Sequence, residues 1–252
     1  MTAILSLDAA LQGFQPVSLA ELDRLNFTDR LDSKSLFAER LLPEFLEQLI
    51  PHYNILEQQG KRIFQYESLY FDTPKLKLFS DHHRGIGHRH KIRYRTYLDT
   101  NATFFEIKTK NNKGRNHKLR VPVTQMLVPL PHNLKTIIRE QTQLDPDTLL
   151  PTLSVTLNRI TLIHRDGSEK ITFDSDIHFN FSGNSKNLEG IAITEVKQKK
   201  FNPESPFFQI QHSLGIRPAS VSKYCLGISL LDKERKANRF KAGLLRLEKM
   251  MA

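Results

Sequence analysis

Arg89-His-Lys-Ile-Arg-Tyr-Arg-Thr-Tyr97 decides how this chain is read. Alternate residues of a strand share a face, so Arg89, Lys91, Arg93 and Arg95 point one way while Ile92 and Tyr94 point the other. The stretch Thr103–Lys110 repeats the split, with Glu106, Lys108 and Lys110 on one face and Phe105 and Ile107 opposite. Lys118 and Arg120 carry the theme past a turn-forming Asn111-Asn-Lys-Gly-Arg-Asn116, in which Gly114 is free to take positive φ, and Glu195, Lys197 and Lys199 carry it into a fourth strand. For any one strand, the ionic face reads most simply as the solvated side of an antiparallel sheet. Four neighbouring like charges argue otherwise, because cations two residues apart repel unless an anion fills the space between strands. The Glu-x-Lys pattern in two of these strands adds a carboxylate among cations, which suits a divalent ion held beside phosphate oxygens. With this face turned inward, the sheet encloses a cationic, water-filled channel whose unpaired charges are costly until a ligand fills it.

Outward from this core, the two-residue period predicts further strands at Gln65–Phe71, Ser154–His164, Glu169–Ser175 and Ile191–Lys197, and one near Arg30–Leu36. Ser18-Leu-Ala-Glu21 is a capping box and predicts a short helix to about Leu25. Pro43, Phe45, Leu46, Leu49 and Ile50 predict a second helix. Others are expected over Asn133–Gln141, from Ser205-Pro206 to near Gly215, and as one long final helix from Ser222 to about Glu248. The expected fold class is α+β: a closed antiparallel β-barrel of about eight strands with flanking helices. No repeat or long linker divides residues 1–252, so a single domain is expected.

The chain has 37 Lys and Arg against 27 Asp and Glu, a formal charge of +10. That excess implies a polyanionic partner. The lone cysteine, Cys225, excludes an internal disulfide, fits a reducing compartment, and falls among apolar residues as a core position. No signal-peptide pattern or membrane-length apolar run is present, so a cytoplasmic protein is expected. The histidines at 82, 83, 88 and 90 match no zinc spacing and read as loop and rim residues; Asp72 in Tyr70-Phe-Asp-Thr73 reads as a turn or cap residue. Gly85-Ile-Gly87 lacks the Gly-Lys-Ser/Thr ending of a P-loop. The run from Lys233 to Lys249 reads as a solvated helix face.

The ordered set of motifs resembles a known family. It runs from Phe14-Gln-Pro-Val-Ser-Leu-Ala-Glu-Leu22 and Asp29-Arg-Leu-Asp-Ser-Lys34 through Tyr70-Phe-Asp-Thr73, His90–Tyr97 and Phe105-Glu-Ile-Lys-Thr-Lys110. Asn112–Arg120, Thr194-Glu-Val-Lys197 and Ser222-Lys-Tyr224 complete it. Together they resemble the VTC-type (vacuolar transporter chaperone) polyphosphate polymerase domains, particularly the stand-alone bacterial ones, within the triphosphate tunnel metalloenzyme (CYTH-like) superfamily. The resemblance implies a tunnel of eight antiparallel strands in which basic residues bind a nucleoside triphosphate, ATP being the expected donor, and a growing polyphosphate. A glutamate is implied to hold Mn²⁺ or Mg²⁺.

Carried onto this chain, the resemblance implies catalytic roles for Arg93, Arg95, Lys108 and Arg159. Phosphate binding is implied for Lys34, Arg89, Lys91, Lys110, Lys118, Arg120, Lys170, Lys197 and Lys223. Glu195 is the first metal-ligand candidate and Glu106 the second. Asp-Ser-Lys34 departs from the Glu-x-Glu-x-Lys of the related phosphatases and points to the polymerase branch, and Lys170 stands where Arg is frequent. No phosphate-sensing domain or membrane segment accompanies these motifs, so coupling to translocation or to inositol-phosphate control is not expected. A triphosphatase is the alternative within the same fold, with water as the attacking group. A non-catalytic polyphosphate or nucleic-acid module is the alternative outside enzymes. Nucleic acid is disfavoured because Tyr94 and Tyr97 fall on opposite faces and no nucleic-acid-binding motif occurs.

Overall fold

The computed structural model describes residues 6–25, 31–112 and 116–251. In chain order the elements are α1 (Leu7–Gln12), β1 (Gln15–Val17), α2 (Leu19–Arg24), β2 (Leu31–Ala38), α3 (Leu42–Leu49), β3 (Tyr53–Leu56) and β4 (Phe64–Asp72). They continue with α4 (Lys77–Arg84), β5 (Arg89–Tyr97), β6 (Ala102–Lys110), β7 (Asn116–Val123), α5 (His132–Gln141), β8 (Leu150–His164) and β9 (Glu169–Phe181). β10 (Asn184–Leu188), β11 (Ile191–Gln198), α6 (Pro206–Ser213), α7 (Lys223–Leu231) and α8 (Lys241–Met251) complete the chain. None of these helices is long and apolar enough to cross a membrane.

The strands form one eleven-stranded sheet whose main path runs β2-β11-β9-β8-β4-β5-β6-β7, with β1, β3 and β10 added at its flanks. Every ladder on the main path is antiparallel. The expected eight-stranded path is therefore present, but the expected closure is not: among the described residues no ladder joins β2 to β7. Two local causes are visible. The outer edge of β2 is occupied by its own chain, through the Ser35–Pro218 bridge and an Ala219 N–H donated to the Lys34 carbonyl at 2.8 Å. At the other end, β7 contains Pro122, which has no N–H for a further ladder. The sheet nevertheless curls until side chains reach across it, since Lys108 Nζ on β6, one strand in from the β7 edge, lies 3.6 Å from Asp32 Oδ2 on β2.

The apolar faces read from the alternation are the outer ones. Ile92, Tyr94, Phe105 and Ile107 pack with Leu134 and Ile138 of α5. On the other half, Phe37, Phe173 and Val196 pack with Phe45 of α3 and Phe207 of α6. The inner face is split. One stretch is apolar, where Tyr66, Tyr70, Leu153, Ile177 and Phe179 meet Tyr224, Cys225 and Ile228 of α7. Burying Ile228 fully contributes about 1.5–3 kcal/mol. Gly227 allows α7 to sit this close: a Cβ there would lie 2.7 Å from the Phe179 ring and 2.8 Å from Leu153 Cδ2. The rest of the inner face is ionic.

Other expectations are corrected locally. The final helix breaks after Leu231 and resumes at Lys241, because residues 232–239 offer no large apolar side chain to bury and packing, more than propensity, holds a helix. His82 and His83 belong to α4, not to a loop, and His90 to β5. The helix from Ser18 has its capping box, with Glu21 N–H donating to Ser18 Oγ at 3.2 Å and Ser18 N–H donating to Glu21 Oε2 at 2.8 Å. Residues 113–115, with the expected glycine, and Arg30, the first residue of the expected strand, lie outside the described residues.

Candidate active site

The ionic stretch of the inner face is organised around four carboxylates, most of them shared among several cations. Glu106 on β6 sits in register between Arg93 on β5 and Arg120 on β7. Arg93 donates to Glu106 Oε2 from Nε at 2.9 Å and approaches it with Nη2 at 2.7 Å. Lys118 lies 2.5 Å and Arg120 3.8 Å from Oε1. Burial pushes the Glu106 carboxyl up, but Arg93, Arg95 and Lys118 outweigh it and hold the group well below the usual carboxylate range. Burial lowers Lys118 to about 8 against the pull of Glu106. Arg93 also donates to the Tyr70 hydroxyl at 2.8 Å.

Asp174 on β9 is the second centre. Arg159, directly opposite on β8, grips it with two parallel hydrogen bonds of 2.5 and 2.7 Å, and Lys223 at the start of α7 donates to the same carboxylate. Burial opposes ionisation of Asp174, yet Arg159 and Lys223 hold its carboxyl far below the ordinary value. Glu195 on β11 is the third, with Lys34 and Lys197 each 3.5 Å away. Burial likewise raises it, and Lys197, Lys34 and Lys108 overcome that effect. Asp32, facing Lys108, is the fourth. Lys170 lies opposite Lys197 in the β9–β11 ladder, on the same face.

Arg89, Lys91, Arg95 and Lys110 are different: among the described residues no carboxylate lies within 4 Å of their charged groups. Arg89 donates to His82 Nδ1 at 3.1 Å and to the Ile86 carbonyl at 2.6 Å. Arg95 donates to Ser68 Oγ at 3.3 Å and stands 5.6 Å from the centroid of the Tyr66 ring. Three of the four line a cavity of about 550 Å³, together with Lys34, Lys108 and Asp32. Ser33, His82, the 218–222 segment, Cys225, Arg239 and Phe240 form its remaining wall. Burial, with repulsion from Lys108, Lys34 and Arg93, pushes the Lys91 ammonium down to about 7. Burial, Lys91 and Arg89 together lower His82 to about 2, so it is neutral at physiological pH.

All the basic residues expected from the sequence thus lie on or beside one inner face, and ten of the thirteen fall into two environments. Arg93, Lys118, Arg120, Arg159 and Lys223 are tied to buried carboxylates. Arg89, Lys91, Lys108 and Lys110 line the open cavity with Lys34. Residues not foreseen are Asp174 and Asp32, the tyrosines 66 and 70 beneath the arginines, and Arg239; His82, expected at the rim, lines the cavity from α4. Asp174 lies opposite Arg159 only once the β8–β9 register is known, and that register shifts between Thr156 and Asn158.

Divalent-metal chemistry fits unevenly. Among the described residues no group of three or more His, Cys, Asp or Glu is gathered. The Glu106 oxygens are taken by Arg93 and Lys118 at close range, so that carboxylate is a poor ligand. Glu195 holds its lysines only at 3.5 Å, leaving lone pairs for an ion that takes its other ligands from phosphate and water, as Mg²⁺ does.

The family model described as VTC domain matches residues 29–232. The chain belongs to the VTC domain family. Its match ends one residue after α7, so α8 lies outside the matched VTC region. No curated protein matches the sequence. Among solved structures, an adenylate cyclase candidate from Bacillus halodurans aligns at 13% identity over 77% of this chain and 93% of its own, with a TM-score of 0.52. This VTC chain therefore shares that protein's fold. A protein from Pyrococcus horikoshii OT3 aligns at 15% identity over 82% and 99% of the two chains, TM-score 0.47. An adenylyl cyclase candidate from Hippeastrum, with a dominant triphosphatase activity, aligns at 13% over 79% and 95%, TM-score 0.49.

Proposed function

We propose that this VTC chain, acting as one domain, is a metal-dependent polyphosphate polymerase that transfers the terminal phosphate of a nucleoside triphosphate, ATP by expectation, to a polyphosphate held along its ionic inner face. One observation carries the reading: Lys34, Arg89, Lys91, Lys108 and Lys110 converge on one cavity in which, among the described residues, Asp32 is the one carboxylate. Such a concentration of partly buried positive charge is unfavourable alone and is offset by a ligand with a negative charge at every unit.

Phosphoryl transfer needs positioning and charge stabilisation more than covalent help. Arg93 and Arg159 are suited to positioning because Glu106 and Asp174 fix their guanidinium planes before substrate arrives. Arg95 and Lys91, with no carboxylate beside them, are suited to charge that develops during transfer. In the step, an oxygen of the chain's terminal phosphate attacks the γ-phosphorus, the bond from that phosphorus to the β–γ bridging oxygen breaks, and the nucleoside diphosphate leaves with that oxygen. The chain is longer by one phosphate. Glu195 is the residue that would hold Mn²⁺ or Mg²⁺, which neutralises phosphate charge when bound.

The test is to incubate purified protein with ATP and Mn²⁺ or Mg²⁺ and to separate inorganic products by chain length, beside Glu195→Gln and Arg93→Ala/Arg95→Ala. Long chains from the wild type, reduced at least ~100-fold in the double variant, are expected. Free phosphate or tripolyphosphate without chains would reassign the chain as a triphosphatase. Tight polyphosphate binding without turnover would leave a binding module.

A further inference from the structure

The wall of the cavity that lies beyond the matched VTC region has its own chemistry. After α7 the chain turns back across α4, and Arg239 and Phe240 enter the cavity lining. The segment is anchored at that point and beyond it. The Phe240 ring packs 5.9 Å from Phe79 and 5.8 Å from His83, both on α4. Leu247 on α8 is buried in the inner apolar cluster, and Arg246 Nη1 donates to the Arg217 carbonyl at 2.9 Å. The Arg239 side chain is exposed and, among the described residues, has no carboxylate partner. It lies instead beside another cation, for its charge helps burial to lower Arg89.

Room for it is made by Gly85, the residue that ends α4 with φ of 74°. A Cβ at Gly85 would stand 2.0 Å from Arg239 Nη1 and 2.8 Å from Cζ. A guanidinium seated over a glycine, next to Arg89 and open to the cavity, is placed for an anion and not for a protein partner.

We propose that Arg239 is a phosphate-chain ligand at the Arg89 end of the cavity, and that it distinguishes long polyphosphates from triphosphates. This rests on the tunnel reading above. The length dependence follows from strand geometry. Arg89 and Arg95 are six residues apart on β5, about 20 Å at the usual rise. A triphosphate positioned by Arg93, Arg95 and Arg159 does not span that distance, whereas a long chain leaving along the stripe passes Arg239.

The experiment measures binding of long-chain polyphosphate and of tripolyphosphate by calorimetry, at one fixed salt concentration, with thermal unfolding as a check on folding. Arg239→Gln is expected to weaken the long chain about tenfold, the loss of one charge-assisted contact, and to leave tripolyphosphate within about twofold. Arg239→Lys should keep most of the long-chain affinity. Equal loss for both anions, or none for either, would overturn the proposal. Arg93→Ala/Arg95→Ala, run in parallel, separates the two claims. If it abolishes binding while Arg239→Gln changes nothing, the tunnel stands and Arg239 has no part in it; if wild type binds neither anion, the tunnel reading itself fails.

Discussion

The two ends of the ionic face solve the same electrostatic problem in opposite ways. At the Glu106–Asp174 end, each buried carboxylate gathers two or three cations, and the arginines are held in fixed planes whether or not a ligand is present. At the Arg89–Lys91 end the cations face open space, and Lys91 relieves the strain by giving up its proton near neutral pH. The first end is held in place and partly compensated, with cations still in excess of carboxylates; the second waits for an anion. A tunnel that must both orient a reacting phosphate and let a chain slide would gain from that division.

The division can be broken at its strongest point. Glu106→Ala leaves the partly buried Arg93 without the counter-charge that it shares with the exposed Lys118, and should cost about 3 kcal/mol of stability in urea unfolding. Added tripolyphosphate should restore part of that loss, because it returns the missing negative charge. A cost below about 1 kcal/mol, typical of exposed pairs, would mean that the Glu106 end is no more pre-organised than the other.

Lys91→Met sharpens the contrast from the open end. An unfolded lysine stays protonated to about pH 10, while Lys91 in the fold gives up its proton near 7. Between those values the unfolded chain binds more protons, so Lys91 makes stability rise with pH across that window. The substitution should flatten this rise and raise stability at pH 7 and below. Anion binding should move the other way in the wild type. Above pH 7 a proton must be taken up to pair with the ligand, so affinity falls with rising pH, and this slope should shrink in the variant. Stability and affinity slopes of the same sign would contradict the assignment.

The smallest effect concerns how α7 is fixed. The Tyr224 hydroxyl donates to Asp72, whose carboxylate also accepts from the Leu78 and Phe79 N–H groups at 2.8 and 2.9 Å and so caps α4. Tyr224→Phe should cost about 1 kcal/mol in thermal unfolding and leave the Glu106 end unchanged. A loss of catalysis out of proportion to that cost would show that the Lys223–Asp174 pair depends on this anchor.

Alternation made β4 to β7, β8, β9 and β11 legible from the residues alone, because Ile92, Tyr94, Phe105 and Ile107 could face only an apolar layer. The same parity placed Arg89, Lys91, Lys108 and Lys110 on one side, which is where the cavity has them. What parity cannot carry is contact between distant segments. α4 was not legible because only Leu78 and Phe79 are buried on it and its cap, Asp72, lies well before its first residue. Asp174 and Arg159 meet across a register with a bulge, and Arg239 arrives from a segment with no periodicity at all. Closure of the barrel was expected because a curled sheet with an ionic lining has its simplest form as a ring; Pro122 and the Pro218–Ala219 contact are local details that interrupt it.

That last contact bears on how copies of the molecule treat one another. An uncovered strand edge is a template onto which a neighbour's strand can zip, the first step of aggregation. Around Lys34 and Ser35 the edge of β2 is taken up by residues 218 and 219 of the same chain, so the seam left by the missing ladder is shielded there against a foreign strand.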